Sequence, residues 1–323
     1  MHRLTRRSVV LAAVAAPFVA RAQSWPSGNI RLVVPYPPAG STDAMMRLVQ
    51  PTLQQRLGAT IIIENRAGAS GTVGTAAVAK SPPDGNTWLI VFDNHGANPF
   101  VFPSLPYDTE KDLDPVLLIG TAPYLISTGA MKPYKTLADV VAAAKAKPDS
   151  VSYASVGSGS IGHLALTLLS KQAGVGLVHV PYRGGGPAMN DAVAGHVDLL
   201  VGSTALSIPQ VQAGKIRAVV QTGKARAGAL PDVPTVIESG YAGFEAYAWW
   251  GVFAPAGTPK AIVDKFGAEL TACLREERVA KQLTETQQVN LLLGGPEEQR
   301  KFLAEQMRVW GAVVRENNIR GDT

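Results

Sequence analysis

The sequence contains one cysteine, Cys273, among 323 residues. One thiol excludes an internal disulfide and paired-cysteine zinc spacing, so the fold must rest on its apolar core. Cys273 falls in a helical apolar pattern with Phe266, Leu270 and Leu274 and reads as a small core hydrophobe. His95, His163, His179 and His196 are scattered, without an H-E-x-x-H motif, so no metal site is expected. No G-x-S-x-G is present; Gly68-Ala69-Ser70-Gly71 is only a near miss for a nucleophile elbow. Nothing therefore points to an enzyme.

An excess of positive charge is also missing once the N-terminus is set aside. Arg3, Arg6 and Arg7 precede an uncharged apolar run at 9–20, and Ala20-Arg21-Ala22 gives small-x-small before Gln23. This is the pattern of a secretory signal over 1–22. The run is shorter than the about 20 residues a spanning helix needs. Arg6-Arg7 permits a twin-arginine route as well as the general secretory one. No cysteine lies near the cleavage site to carry a lipid. The segment holds four arginines and no acidic residue, which leaves 26 Lys+Arg against 25 Asp+Glu, a net of +1. Nucleic-acid binding, which needs a basic patch or stripe, is not expected.

What is present is regular alternation. Apolar β-type runs at 30–36, 60–65, 87–92, 151–156, 177–180, 197–202 and 216–221 are separated by helical patterns at 42–57, 72–80, 137–146, 161–173, 188–194 and 206–213. Such alternation predicts an α/β fold with parallel sheets covered on both faces. Pro51 is expected to kink the first helix. The alternation fails at 94–122 and at 223–243, both of which read as loops. After the second break come a strand-like run at 246–254 and two amphipathic helices near 259–282 and 296–317. The block between the breaks has a complete βα series of its own. We therefore expect two doubly wound lobes joined by a two-crossing hinge, with 23–123 and 242–323 forming lobe 1 and 124–241 forming lobe 2. Two sequential domains joined once would leave 246–254 without an obvious sheet.

Four small-residue turns lead from strands into helices: 35–43, 65–72, 155–163 and 181–187. Each can present backbone N–H groups and a positive helix end to an anion, at the strand ends where open α/β sheets bind ligands. Each is equally explained as a turn with a cap, since Ser41, Thr42 and Asp43 are capping residues. Gly157-Ser158-Gly159-Ser160-Ile161-Gly162 matches G-x-G-x-x-G. The acidic residue that should follow about 20 positions on is missing: none occurs from Gly157 until Asp191. No cofactor is expected. His163 can donate to a ligand or finish a cap, and His179 reads as a satisfied core histidine. Tyr36 and Tyr182 stand at strand ends where cleft walls are expected. Of Trp249 and Trp250, one should face the core and the other the cleft or hinge. Arg66 and Arg183 are the only cations inside these loops.

The chain resembles a known family over nearly its whole length. Trp25-Pro26, the run Ile30 to Pro38, Gly40-Ser41-Thr42-Asp43, and Glu64-Asn65-Arg66-Ala67-Gly68-Ala69-Ser70-Gly71 match its N-terminal signature. Pro83-Asp84-Gly85, Pro106-Tyr107-Asp108, Tyr153-Ala154-Ser155, His179-Val180-Pro181-Tyr182-Arg183-Gly184, Pro231-Asp232-Val233-Pro234 and Ala254-Pro255-Ala256-Gly257-Thr258-Pro259 continue it in order. These motifs resemble the substrate-binding component of tripartite tricarboxylate transporters, the Bug receptors. The resemblance implies a monomeric periplasmic-binding-protein fold that closes on a small carboxylate and then docks on membrane subunits. It points to Tyr36, Gly40, Ser41, Thr42, Asp43, Ala69, Ser70, Ser155, Ser158, Gly159, Ser160 and His163 as ligand contacts, with Pro181, Tyr182 and Arg183 outside them. Ala39 departs from the family, which usually has glycine there. A partner of a histidine kinase would use the same fold, and a secreted hydrolase remains the rival of another class.

Overall fold

The computed structural model describes residues 25–321; the expected secretory signal lies outside them. The first strand, β1 (Ile30–Val34), pairs in parallel with β2 (Ile61–Asn65) and β3 (Thr87–Phe92). Helices α1 (Ser41–Leu57) and α2 (Thr72–Ala79) make the crossovers. In the middle of the chain, β5 (Ser152–Ser155) pairs in parallel with β6 (Val178–Pro181) and β7 (Leu199–Ser203), with α5 (Ile161–Ala173) and α6 (Gly185–Ala194) between them and α7 (Thr204–Gln212) following. These are the parallel units the alternation predicts. α1 continues through Pro51 without interruption.

The two parallel groups meet through a strand the sequence concealed. β4 (Leu113–Gly129) is 17 residues long and starts inside the stretch that reads as loop. Pro115 and Gly120 disguise it, yet each sits at a register shift opposite β9 (Tyr247–Pro255). Bulges are where a strand tolerates a residue without a backbone donor or without a side chain. The first half of β4 pairs antiparallel with β9 and with β10 (Asn290–Gly294). Its second half pairs with β7 and β8 (Ile216–Gln221). The partners change at Pro123 and Tyr124. The sheet thus runs β2-β1-β3-β9-β4-β7-β5-β6, a mixed, curled sheet with parallel ends and an antiparallel centre.

The chain passes between the two groups at β4 and again between β8 and β9. Thr222 stitches these passages together: its Oγ1 accepts from Tyr124 N at 2.9 Å and donates to Ala246 O at 2.5 Å. The earlier part of the 94–122 stretch, which also reads as loop, contains α3 (Asn94–Val101), which carries Pro99 inside it. Of the predicted C-terminal helices, the first ends early, as α8 (Lys260–Leu274). The second is α10 (Pro296–Glu316).

Trp249 and Trp250 are both fully buried, which corrects the expectation that one faces the cleft. Trp249 packs with Val33, Leu89 and Phe253, and Trp250 lies 5.4 Å from the Phe92 ring. The central strand is covered on both faces, so alternate side chains meet core on either side. Cys273 is buried too, and burial pushes its thiol up to about 11.

Candidate functional site

The carboxyl end of β1 turns into α1 through Pro37 to Gly40. Gly40 is the N-cap, and α1 has no side-chain cap among the described residues. Asp43, one turn in, is 3 % exposed and fully engaged. It accepts from Ala39 N at 3.0 Å, Arg47 Nε at 2.9 Å and Asn65 Nδ2 at 3.0 Å. Burial alone would raise its pKa, but the bonds from Arg47, Ala39 and Asn65 outweigh that and hold it below the usual carboxylate value. Asp43 therefore ties the loop together as a charged acceptor. Ala39 sits at φ +64°, in the left-handed region where a β-carbon is disfavoured. This is the physical content of the family's preference for glycine there.

Facing this loop from the other parallel group are the N-termini of α6 and α7. Gly184 caps α6 without a side-chain bond, whereas Ser203 caps α7 by accepting from Leu206 N at 3.3 Å. Gly40, Ser41, Thr42, Gly184, Gly185 and Ser203 share one cavity of about 20 Å³ with Tyr36, Phe92, Val156 and Leu206. That volume holds about one water. Three helix N-termini thus converge on one buried space, and among the described residues no carboxylate and no cation lines it. The Tyr36 hydroxyl is already used, donating to Asn94 Oδ1 at 2.6 Å and accepting from Phe92 N at 2.9 Å. The facing loops touch: a β-carbon on Gly184 would lie 2.7 Å from Pro37 Cδ, so glycine is required at this approach.

The helix after the third loop, α5, is arranged differently. Its first amide, Ile161 N, donates at 3.2 Å to Asp93 Oδ1, which comes from the end of β3 in the other group. Tyr124 donates to the other oxygen of Asp93. Ser160 accepts from His163 N at 3.3 Å, and His163 Nδ1 accepts from Gly159 N at 3.1 Å. His163 stacks 3.7 Å from His179, whose Nε2 lies 2.7 Å from Ser155 Oγ. Burial, then the neighbouring His179, lowers the His163 pKa to about 3, consistent with a neutral acceptor ring. The protein's own carboxyl thus occupies the position that the sequence reserves for an external anion. Asp93 is fully buried; burial lifts its pKa to about 7, against the opposing bonds from Tyr124, Ile161 N and Asn94 N.

The second loop forms the other side of the junction. Ala69 and Ser70 both have positive φ, +41° and +51°, a strained arrangement that surrounding bonds must hold. Ser70 O accepts from Asn98 Nδ2 at 3.1 Å and from Asn94 Nδ2, and Ser70 Oγ donates to Ser158 O at 2.8 Å. These two loops, with Pro181, Tyr182 and Arg183, line a separate opening of about 370 Å³. Ser70 is spent on a carbonyl, not on a base.

The sequence-predicted residues therefore divide three ways. Tyr36, Gly40, Ser41 and Thr42 line the cavity. Ala69, Ser70, Ser158, Pro181, Tyr182 and Arg183 line the separate opening. Asp43, Ser155, Gly159, Ser160 and His163 line neither and are bonded within the loops. Phe92, Leu206 and Ser203 line the cavity without being foreseen, and Val156, Gly184 and Gly185 line it from within the candidate loops without being among the predicted contacts. Ser203 carried the usual signal, a capping serine between an apolar strand and a helix, but its one neighbouring glycine, Gly202, reads as the end of the strand.

Known proteins resemble this chain in sequence and in fold. Residues 45–319 match the family model TctC, the tripartite tricarboxylate transporter family receptor. Protein BugT of Bordetella pertussis is 33 % identical over 314 residues, which cover 97 % of this chain and 95 % of that one. The solved structure of the periplasmic binding protein BugD is 31 % identical with a TM-score of 0.87, over 92 % of this chain and 100 % of that chain. R. palustris Rpa4515, solved with adipate, is 32 % identical with a TM-score of 0.86, over 90 % of this chain and 97 % of that one. Among the described residues no helix is long and apolar enough to cross a membrane. The chain belongs to the TctC family of tripartite tricarboxylate transporter receptors, as a solute-binding protein.

Proposed function

We propose that the protein captures a small carboxylate in the periplasm, between two lobes, for the membrane subunits of a tripartite transporter. The lobes are 23–123 with 242–323, and 124–241. The hinge is the pair of passages stitched by Thr222, and the secretory signal at 1–22 directs export. The convergence of three helix N-termini on one uncharged cavity carries this reading. Helix ends hold an anion through amides and dipoles, without a cationic side chain. α1 belongs to one lobe and α6 and α7 to the other, so an anion between them favours the closed state through contacts the open state lacks. The adipate bound by Rpa4515 supports a carboxylate as the ligand class.

The test is a thermal-shift screen of mono-, di- and tricarboxylates, because a ligand of the native state raises apparent stability by about 2.7 kcal/mol at a hundred times its Kd. Ser41→Ala with Thr42→Ala should weaken binding of any hit. Ser203→Asp keeps a good N-cap but places a negative charge in the cavity and should abolish binding; because Ser203 is buried and a buried charge is costly, the unliganded Tm is measured alongside to separate lost binding from a lost fold. Undiminished affinity in Ser203→Asp overturns the assignment.

A further inference from the structure

The small cavity adjoins a groove of about 440 Å³, and Gly40, Ser41 and Leu206 line both. Pro37, Pro38, Met189 and Pro209 make up much of the groove wall, and its polar side chains besides Ser41 are the amides of Asn190, Gln210 and Gln287. Among the described residues, none that lines the groove is ionisable. The opening that contains Arg183 shares no lining residue with the cavity, and the Ser70–Ser158 bond closes the two loops over that side. A ligand whose carboxylate is held by the helix ends therefore extends into the uncharged groove, away from Arg183.

From this shared wall we infer the substrate class: a monocarboxylate with an apolar body, a ring or a short alkyl chain, lying against Pro37, Pro38, Met189, Leu206 and Pro209. The inference rests on the carboxylate reading above and deepens it. The carboxylate replaces its water with amides at the N-termini of α1, α6 and α7. An apolar body gains from leaving water along the proline and methionine walls. A second carboxylate at the far end of the ligand would lose part of its hydration in the groove and meet no cation there.

Hexanoate and adipate make a matched pair, of equal chain length and differing only at the far end. Calorimetric titration of the full mature protein should give hexanoate and benzoate Kd values at least about tenfold below those of adipate and malate, since one apolar group in an apolar pocket is worth about that much. Asn190→Lys, at an exposed position on the groove, supplies the missing cation and should shift the hexanoate-to-adipate preference towards adipate by about tenfold. If the unmodified protein binds adipate as tightly as hexanoate, or more tightly, the apolar body is wrong and the carboxylate site stands. An unchanged preference in Asn190→Lys also counts against placement in this groove. If none of the four acids binds, the monocarboxylate class is wrong, and the thermal-shift screen of all carboxylate classes decides the carboxylate reading separately.

Discussion

Asp93 should give the protein an unusual dependence of stability on pH. Its carboxyl group is fully buried, and burial raises its pKa from an ordinary 3.8 to about 7. Between those values the native state holds a proton that the unfolded state has released. Stability contributed by this group is therefore fully present below about pH 4 and is lost as pH rises to about 7. A difference of about three pKa units, at 1.36 kcal/mol each, corresponds to about 4 kcal/mol over that window. Asp93→Asn retains an acceptor for Ile161 N but cannot titrate. Paired carboxylates such as Asp43 and Asp198, whose pKa values are lowered, act in the opposite direction and cancel when variant and parent are compared. Urea unfolding from pH 4 to 8 should show the parent losing about 4 kcal/mol relative to Asp93→Asn. Parallel profiles would refute the argument, because they would mean that Asp93 keeps the same charge in both states.

Two further substitutions probe the loop and the paired chain passages. Ala39→Gly removes a β-carbon from a left-handed position and should raise stability by up to about 1 kcal/mol, seen as a Tm increase of about 2 °C; a fall in Tm contradicts it. Thr222→Val leaves Tyr124 N and Ala246 O without the hydroxyl that joins them and should cost about 2 kcal/mol in chemical denaturation. Loss of less than a few tenths would mean that the stitch contributes little.

The parallel units were legible because each carries its own local signal: an apolar strand, a small-residue turn, a capping position and a helical apolar stripe. Ile30–Val34 followed by Gly40 to Asp43 is such a unit, and so is Ser152–Ser155 followed by Ser160. β4 was hidden because its evidence lies in its partners. Pro115 and Gly120 look like breakers until β9 and β10 are beside them and the register shifts absorb them. One tryptophan was expected in the core and the other at the cleft or hinge; both are buried, because alternation along a strand says that they face opposite ways, but not that both faces are covered.

For the site, the sequence by itself determined which turns precede helices, and hence where positive helix ends can arise. It could not determine which of those ends stay open. The third loop, with Gly157 and Gly159 before α5, looks at least as suited to an anion as the fourth, before α6. Only the tertiary structure brings Asp93, 68 positions away from Ile161, onto the first amide of α5. The same folding leaves α1 and α6 without side-chain caps, facing one another across the cavity. A backbone amide's availability depends on what the rest of the chain places against it, and that is a property of packing, not of local sequence.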